Sequence, residues 1–268
     1  MKSVLKALYM TFGMFTVIPA PKSWDEPSAK HMMPWLPLAG AVIGAAWWGA
    51  AELLVLSGLH IALCAAILML IPFVLSGFIH LDGYMDTSDA LLSRRSVDEK
   101  LRILKDPHTG AFAVIMIAVL FVLMFASAYA LIERWNLFAL LPASTYALTV
   151  RGNPFALLPV IPVLSRCCSS MAVLCLNPMT QGYAYAFKPS KAAPHRAVTV
   201  LVACAAFVYA WFCAGPGGLA VSGAVVAGYC AAMVCALSGF RFRGVSGDLV
   251  GFSLVIGELC GLFACGVI

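Results

Sequence analysis

Long apolar runs, each able to cross a lipid bilayer, dominate this chain. A membrane-spanning helix needs about 20 mostly apolar residues. Of the 268 residues 62% are hydrophobic and only 11% are charged, whereas about a quarter of a soluble domain is charged. The sequence therefore predicts an all-α, polytopic transmembrane helical bundle of about seven spans. The predicted spans are Trp35–Ser57, Gly58–Ile79, Ala111–Ile132, Phe155–Leu176, Ala197–Ala214, Gly218–Ser238 and Leu249–Ile268.

Two further apolar segments differ from these spans. Residues 1–18 carry Lys2 and Lys6 before an apolar stretch but lack a small-residue cleavage site. This favours a retained helix, interfacial or partly inserted, over a cleaved signal peptide. Leu137–Val150 is short and interrupted by proline, so we expect an interfacial excursion between two spans. Since no repeat or linker divides the chain, we expect one domain over residues 1–268.

The charged residues indicate how the chain is oriented. Two predicted spans separate each polar segment from the next, so all the polar segments fall on one side. They hold most of the lysines and arginines, which predicts the cytoplasmic side of the cytoplasmic (inner) membrane. The net charge of +5 is too modest to indicate a nucleic-acid partner. The polar segments are Pro19–Pro34, His80–Gly110, Asn177–Arg196 and Gly239–Asp248.

One of these segments, the expected cytoplasmic loop 80–110, is rich in carboxylates. Within it Asp82, Asp86 and Asp89 are spaced i, i+4, i+7, which places three carboxylates on one face of a helix. A divalent cation would relieve their repulsion, and Mg²⁺ prefers carboxylate oxygens while keeping positions for a phosphate ligand. The spacing predicts magnesium-assisted phosphoryl chemistry. The alternative is a solvated helix whose charges pair with each other.

Other residues of this segment are weaker candidates. His80 precedes the triplet and is either a proton acceptor or metal ligand, or an interfacial histidine without a role. Asp106 is either a further metal ligand or part of a turn. Arg94, Arg95 and Lys105 carry charges suited to phosphate.

Three ionisable residues outside the segment are also candidates. Asp248 lies at the mouth of the last predicted span, where it either caps the helix or contacts substrate. Glu258 and Arg166 lie inside apolar runs. Because ionisable groups are costly within a membrane, both are functional candidates.

Several motifs resemble those of the cobalamin synthase family, the adenosylcobinamide-GDP ribazoletransferases. The most specific match is residues 80–89, HLDGYMDTSD, which is similar to the family's H-L-D-G-L-x-D-T-x-D. Val17 and Val255 stand where the family has arginine and glutamate. Further matches cover most of the chain, at Phe15–Pro19, Trp35–Gly40, Lys105–Gly110, Ser165–Arg166 and residues 247–258.

The resemblance implies an activity and roles for residues. The family joins adenosylcobinamide-GDP to alpha-ribazole, or its 5′-phosphate, releases GMP, and needs Mg²⁺. By this resemblance His80 or one of the aspartates is the base. The metal ligands are Asp82, Asp86, Asp89 and Asp106, and the substrate contacts are Arg94, Arg95, Lys105, Arg166, Asp248 and Glu258.

Rival functions follow from the same features. A CDP-alcohol phosphotransferase or an intramembrane prenyltransferase would also use aspartates with magnesium, although the former's D-G-x-x-A-R pattern is absent. A transporter would use Glu258 and Arg166 along an ion pathway, but no internal repeat is evident. The sequence leaves the oligomeric state open, a homo-oligomer included.

Overall fold

The computed structural model describes residues 2–21, 24–139, 153–179 and 183–268. Within these ranges the chain is helical, with short 3₁₀ turns before α3 and α8, and the sole β-contact is an isolated parallel bridge between Pro178 and Val245. The helices are α1 (Lys2–Phe15), α2 (Glu26–Ala29), α3 (Leu36–Leu56), α4 (Ile61–Leu75), α5 (Ile79–Leu92), α6 (Val97–Ile103), α7 (Ala111–Ala139), α8 (Val160–Cys175), α9 (Tyr183–Ala186), α10 (Ala193–Ala214), α11 (Pro216–Gly239) and α12 (Gly247–Val267).

The long helices confirm the predicted fold class. Among the described residues six are long and apolar enough to cross a membrane, namely α3, α7, α8 with its preceding turn, α10, α11 and α12. The pair α4 and α5 provides a seventh candidate, broken by a bend of 94°. The expected N-terminal helix is present as α1.

Most helix boundaries differ from the predicted ones by a few residues. The second span ends at Leu75 instead of Ile79, because Gly77 (φ +63°) adopts a left-handed conformation that ends the helix. Helix α7 continues to Ala139, past the predicted end at Ile132. The predicted excursion therefore begins inside α7, and its remainder, residues 140–150, lies outside the described residues.

Helix α12 lies at the centre of the bundle and packs against α5, α7, α8 and α11. Small residues allow these close approaches. A Cβ added at Gly257 would lie 3.0 Å from the Val225 carbonyl oxygen, and one at Gly261 would lie 3.0 Å from Cγ1 of Ile161. Since membrane helices gain little from the hydrophobic effect between them, tight packing at small residues is a main source of their association.

The four polar segments meet at one end of the bundle. The rings of His31 and His195 approach to 2.9 Å between Nδ1 and Nε2, and Lys100 Nζ donates to the Gly239 carbonyl oxygen at 3.4 Å. The isolated bridge joins the segments that precede α9 and α12. The acidic segment 80–110 holds α5 and α6.

Candidate active site

The break between α4 and α5 positions the acidic helix. Gly77 and Phe78 both have positive φ, at 63° and 61°. A bulky residue such as Phe78 rarely adopts this conformation, so the surrounding structure must hold it there. The resulting turn directs α5 across α12 and against α7, instead of continuing along α4.

Glycine allows α5 and α12 to cross almost in backbone contact. A Cβ added at Gly83 would lie 2.8 Å from the Asp248 Cα, and one at Gly251 would lie 3.1 Å from the His80 carbonyl oxygen. Next to the crossing, the ring of Tyr84 stacks on Phe252 with centroids 5.5 Å apart. The crossing therefore fixes Asp248 beside the carboxylates of α5.

We expect the substitution Gly83→Ala to lower the melting temperature of the detergent-solubilised protein. The new Cβ would meet backbone atoms of α12, which cannot rotate away, and overpacking of this kind typically costs about 1–3 kcal/mol. Gly49→Ala is the matched control, because a Cβ at that helical glycine would have no neighbour within 4 Å. Equal melting temperatures for the two variants would contradict so tight a crossing.

Four carboxylates come together at this crossing. Asp82, Asp86 and Asp89 lie on α5, and Asp248 lies in the first turn of α12. Asp86 lies close enough to the other three carboxylates for their charges to act on it. Within the described ranges none of the four forms a salt bridge. Negative charge therefore accumulates here without a compensating side chain.

The remaining acidic residues of segment 80–110 have hydrogen-bond or ion-pair partners. Glu99 accepts hydrogen bonds from Ser96 in a capping box at the start of α6, and these bonds lower the pKa of Glu99. Asp98 pairs with Arg243 at 2.9 Å. The alternative of a solvated helix with paired charges therefore describes α6. The three aspartates of α5 form no salt bridge among the described residues.

Asp106 is also engaged locally. Its carboxylate accepts a hydrogen bond from the His108 backbone N–H at 3.0 Å and lies 2.7 Å from the ring Nδ1. These hydrogen bonds hold the pKa of Asp106 below its usual range. Asp106 is not among the charges that act on Asp86, so its role as a metal ligand stays a prediction.

The carboxylates are not arranged as a complete metal cage. Across the described part of the chain, no three side chains of His, Cys, Asp or Glu converge as metal ligands do. Mg²⁺ usually binds through one or two carboxylates and keeps its other positions for water and substrate phosphates. The uncompensated charge around Asp86 fits a cation that binds in this way.

His80 lies buried next to this group. Its side chain is 7% exposed, and its ring stacks on Phe15 with centroids 6.0 Å apart and planes 12° from parallel. Its Nε2 has no hydrogen-bond partner. His80 lines an enclosed cavity of about 280 Å³ together with Asp82 and Asp248. Its role as base or ligand remains a prediction.

A second cavity shares Met14, Ile79 and Asp82 with the first. It has a volume of about 530 Å³, is more open, and lies between the end of α1 and the turn that precedes α5. Asp82 is exposed and borders both spaces. This carboxylate therefore stands where molecules bound in the two cavities would meet.

Arg166 and Glu258 bind each other inside the bundle. Arg166 Nη1 donates to the Glu258 carboxylate at 2.6 Å, and the Ser165 hydroxyl donates to the same oxygen at 3.0 Å. The side chains of Arg166 and Glu258 are 1% and 2% exposed. Neither lines the two cavities at Asp82. In this conformation they tie α8 to α12, and substrate contact by either residue stays a prediction.

The predicted phosphate-binding residues Arg94, Arg95 and Lys105 line neither of the two cavities at Asp82. Arg94 has a positive φ of 54°, which is uncommon for arginine. Arg95 lies 3.7 Å from Glu99, and Lys105 follows α6. All three basic side chains are exposed, and their contacts with substrate stay predictions.

Sequence reasoning assigned no role to the apolar walls of the enclosed cavity. Phe15 belongs to a recognised motif but was given no function, and Phe187, Ser169 and Val173 were not singled out. They come from separate parts of the chain, so no local pattern marks them. Asp248 was a candidate, but the helix cap predicted for it is provided by Ser246, whose hydroxyl accepts from the Leu249 N–H at 3.3 Å.

Fold and site together define a polytopic helical membrane protein with an acidic site at one end of its bundle. The family model described as cobalamin-5-phosphate synthase matches residues 7–266. The chain belongs to this family, as the motifs indicated.

Relatives of known name agree with the family model. An adenosylcobinamide-GDP ribazoletransferase of Clostridium botulinum (strain Alaska E43 / Type E3) is 35% identical over 269 residues, which cover 98% of each chain. Another, of strain Eklund 17B / Type B, is 34% identical over 279 residues with the same coverage. One of Clostridium perfringens (strain 13 / Type A) is 47% identical over 135 residues, 50% of this chain and 54% of its own. No solved structure matches the chain.

Proposed function

We propose that the protein is an adenosylcobinamide-GDP ribazoletransferase, which joins adenosylcobinamide-GDP to alpha-ribazole, or its 5′-phosphate, and releases GMP. Relatives that align over 98% of the chain bear this name. The structural observation that carries the proposal is the group of four unpaired carboxylates at the crossing of α5 and α12. A transferase that handles a diphosphate has a use for such a group, because the carboxylates can hold a divalent cation that also binds the phosphates.

The reaction is a displacement at phosphorus. A ribose hydroxyl oxygen attacks the phosphorus on the cobinamide side of the diphosphate and forms a new P–O bond. The bond from that phosphorus to the bridging oxygen breaks, and GMP leaves with the electron pair. The hydroxyl proton passes to a base. Asp82 and His80 are the candidates, because both line the enclosed cavity.

The acidic group would hold Mg²⁺. Asp82, Asp86 and Asp89 are the candidates for its one or two carboxylate ligands, and Asp248 adds charge beside them. When bound, the ion neutralises charge on the diphosphate oxygens as the P–O bond breaks. Arg94, Arg95 and Lys105, which are exposed in the same polar segment, would supply guanidinium and ammonium groups for the phosphates. These roles make the enzyme a magnesium-dependent transferase of a phosphorus-containing group.

We place this end of the bundle on the cytoplasmic face of the inner membrane. The polar segments that meet here carry most of the lysines and arginines of the chain. Such residues concentrate in cytoplasmic loops. Both substrates would then reach the site from the cytoplasm.

Purified protein supplied with both substrates is expected to release GMP only when Mg²⁺ is present. Chelation by EDTA should abolish release and excess Mg²⁺ should restore it, because the carboxylates need a cation to receive a diphosphate. GMP and the corrinoid product are quantified together by chromatography. A reaction without alpha-ribazole is the control. GMP release that does not require alpha-ribazole would indicate hydrolysis. Transfer that continues in the presence of EDTA would contradict the magnesium assignment.

A further inference from the structure

The enclosed cavity at His80 has a small, mainly apolar interior. Its volume of about 280 Å³ is at the lower end of about 300–1,000 Å³ for small-molecule sites. A flat bicyclic ring fits such a space, whereas a corrin macrocycle does not. Apolar side chains from α1, the turn before α3, α8 and the region of α9 line it, among them Met14, Phe15, Met33, Val173 and Phe187.

We infer that this cavity binds the heteroaromatic base of the ribazole acceptor. The inference rests on the proposed function, and it assigns one substrate to one cavity. The base of alpha-ribazole is a dimethylated benzimidazole, a flat ring with apolar faces and an apolar methylated edge. One ring nitrogen is joined to the ribose, and the other is free to accept a hydrogen bond.

The polar groups of the cavity match such a ring. Nε2 of His80 is buried and has no hydrogen-bond partner, and in its protonated tautomer it is a donor. The Ser169 hydroxyl is already used, since it donates to the Ser165 carbonyl oxygen at 2.9 Å. An unpaired buried donor is costly, so a ligand that supplies one acceptor is favoured.

Guanine, the other base among the substrates, fits this cavity less well. It has several donors and acceptors along its edges, and mainly apolar walls would leave many of them unpaired. Phe15 and Phe187, whose centroids are 6.3 Å apart, supply aromatic surface instead. The lining therefore favours the apolar base.

The location of the cavity also favours the acceptor. Asp82 and Asp248 close the polar end of the cavity, and Asp82 borders the open cavity as well. A base seated among the apolar walls would place its ribose toward these carboxylates. The open cavity would then remain for the diphosphate of the second substrate.

Substitutions at Val173 test the assignment. Its side chain is 6% exposed and lines the cavity, so Val173→Leu reduces the space by one methylene. We expect kcat/KM for alpha-ribazole to fall about tenfold, the typical effect of one methylene in an apolar pocket. A ribazole analogue with unsubstituted benzimidazole should be affected less, and KM for adenosylcobinamide-GDP should not change. Val173→Ala should instead favour an analogue with a bulkier, diethylated base.

Cys175→Leu is the matched control, because Cys175 lies on the same helix but is exposed. It should leave both base preferences unchanged. Equal losses with both bases, unchanged kinetics in both Val173 variants, or a raised KM for adenosylcobinamide-GDP would each overturn the inference. If the wild-type protein made no product with either base, the proposed function itself would fail and the inference with it.

Discussion

Replacing Asp82 by asparagine is expected to abolish turnover and leave the fold intact. Asp82 borders both cavities, and its charge acts on Asp86 and Asp248. Asparagine keeps the shape but can neither accept the proton nor attract the cation. We expect kcat to fall by about 10²–10⁴-fold, the range for loss of a positioned acid–base group. GMP release at saturating substrates and Mg²⁺ measures the effect.

The melting temperature separates this effect from unfolding. Because Asp82 repels its neighbours, Asp82→Asn should leave the melting temperature unchanged or raise it. Asp98→Asn is the matched control. Asp98 carries the same charge on the neighbouring helix α6, but it is 74% exposed and pairs with Arg243, and a surface ion pair contributes little. Wild-type turnover in Asp82→Asn, or equal losses in both variants, would contradict the assignment.

Replacing Arg166 by methionine is expected to destabilise the bundle strongly. The substitution leaves the Glu258 carboxylate buried without its ion-pair partner. Removing one partner of a buried pair typically costs about 3–5 kcal/mol, because an uncompensated charge remains. Unfolding of the detergent-solubilised protein, followed by melting temperature and by protease sensitivity, measures the effect.

A double variant shows whether the pair is structural or functional. Arg166→Met combined with Glu258→Leu replaces both charges by apolar groups, and such replacements of buried pairs are often neutral or stabilising. We expect it to recover most of the lost stability. If the stable double variant also turns over, the pair only joins α8 to α12. If it is stable but inactive, the predicted substrate role is supported. Wild-type stability in Arg166→Met would contradict the structural role.

Much of the fold could be predicted because lipid restricts the choices. A spanning segment must satisfy its backbone hydrogen bonds internally, so a long apolar run specifies a helix. Helix periodicity was informative as well. The spacing of Asp82, Asp86 and Asp89 matches the period of a helix, so the sequence predicts that they share one face. These are local properties, and the sequence encodes them within a few turns.

The rest of the site depends on contacts between distant parts of the chain. Asp248 joins Asp82 because Gly83 permits a close crossing of two helices, and nothing near Asp248 in sequence indicates that contact. The bend at Phe78 was missed for a related reason. Its left-handed conformation is imposed by the surroundings and not by residue type, so an apolar run through Ile79 looked continuous.

The shortness of α4 has a consequence for the surrounding lipid. Its 15 residues extend about 22 Å, whereas the hydrocarbon layer is about 30 Å thick. On that flank, acyl chains must compress or α5 must make up the missing depth. If the acyl chains compress, a charged substrate would approach the acidic helix across a locally thinned bilayer. If α5 makes up the depth, the acidic helix itself would lie partly below the level of the headgroups.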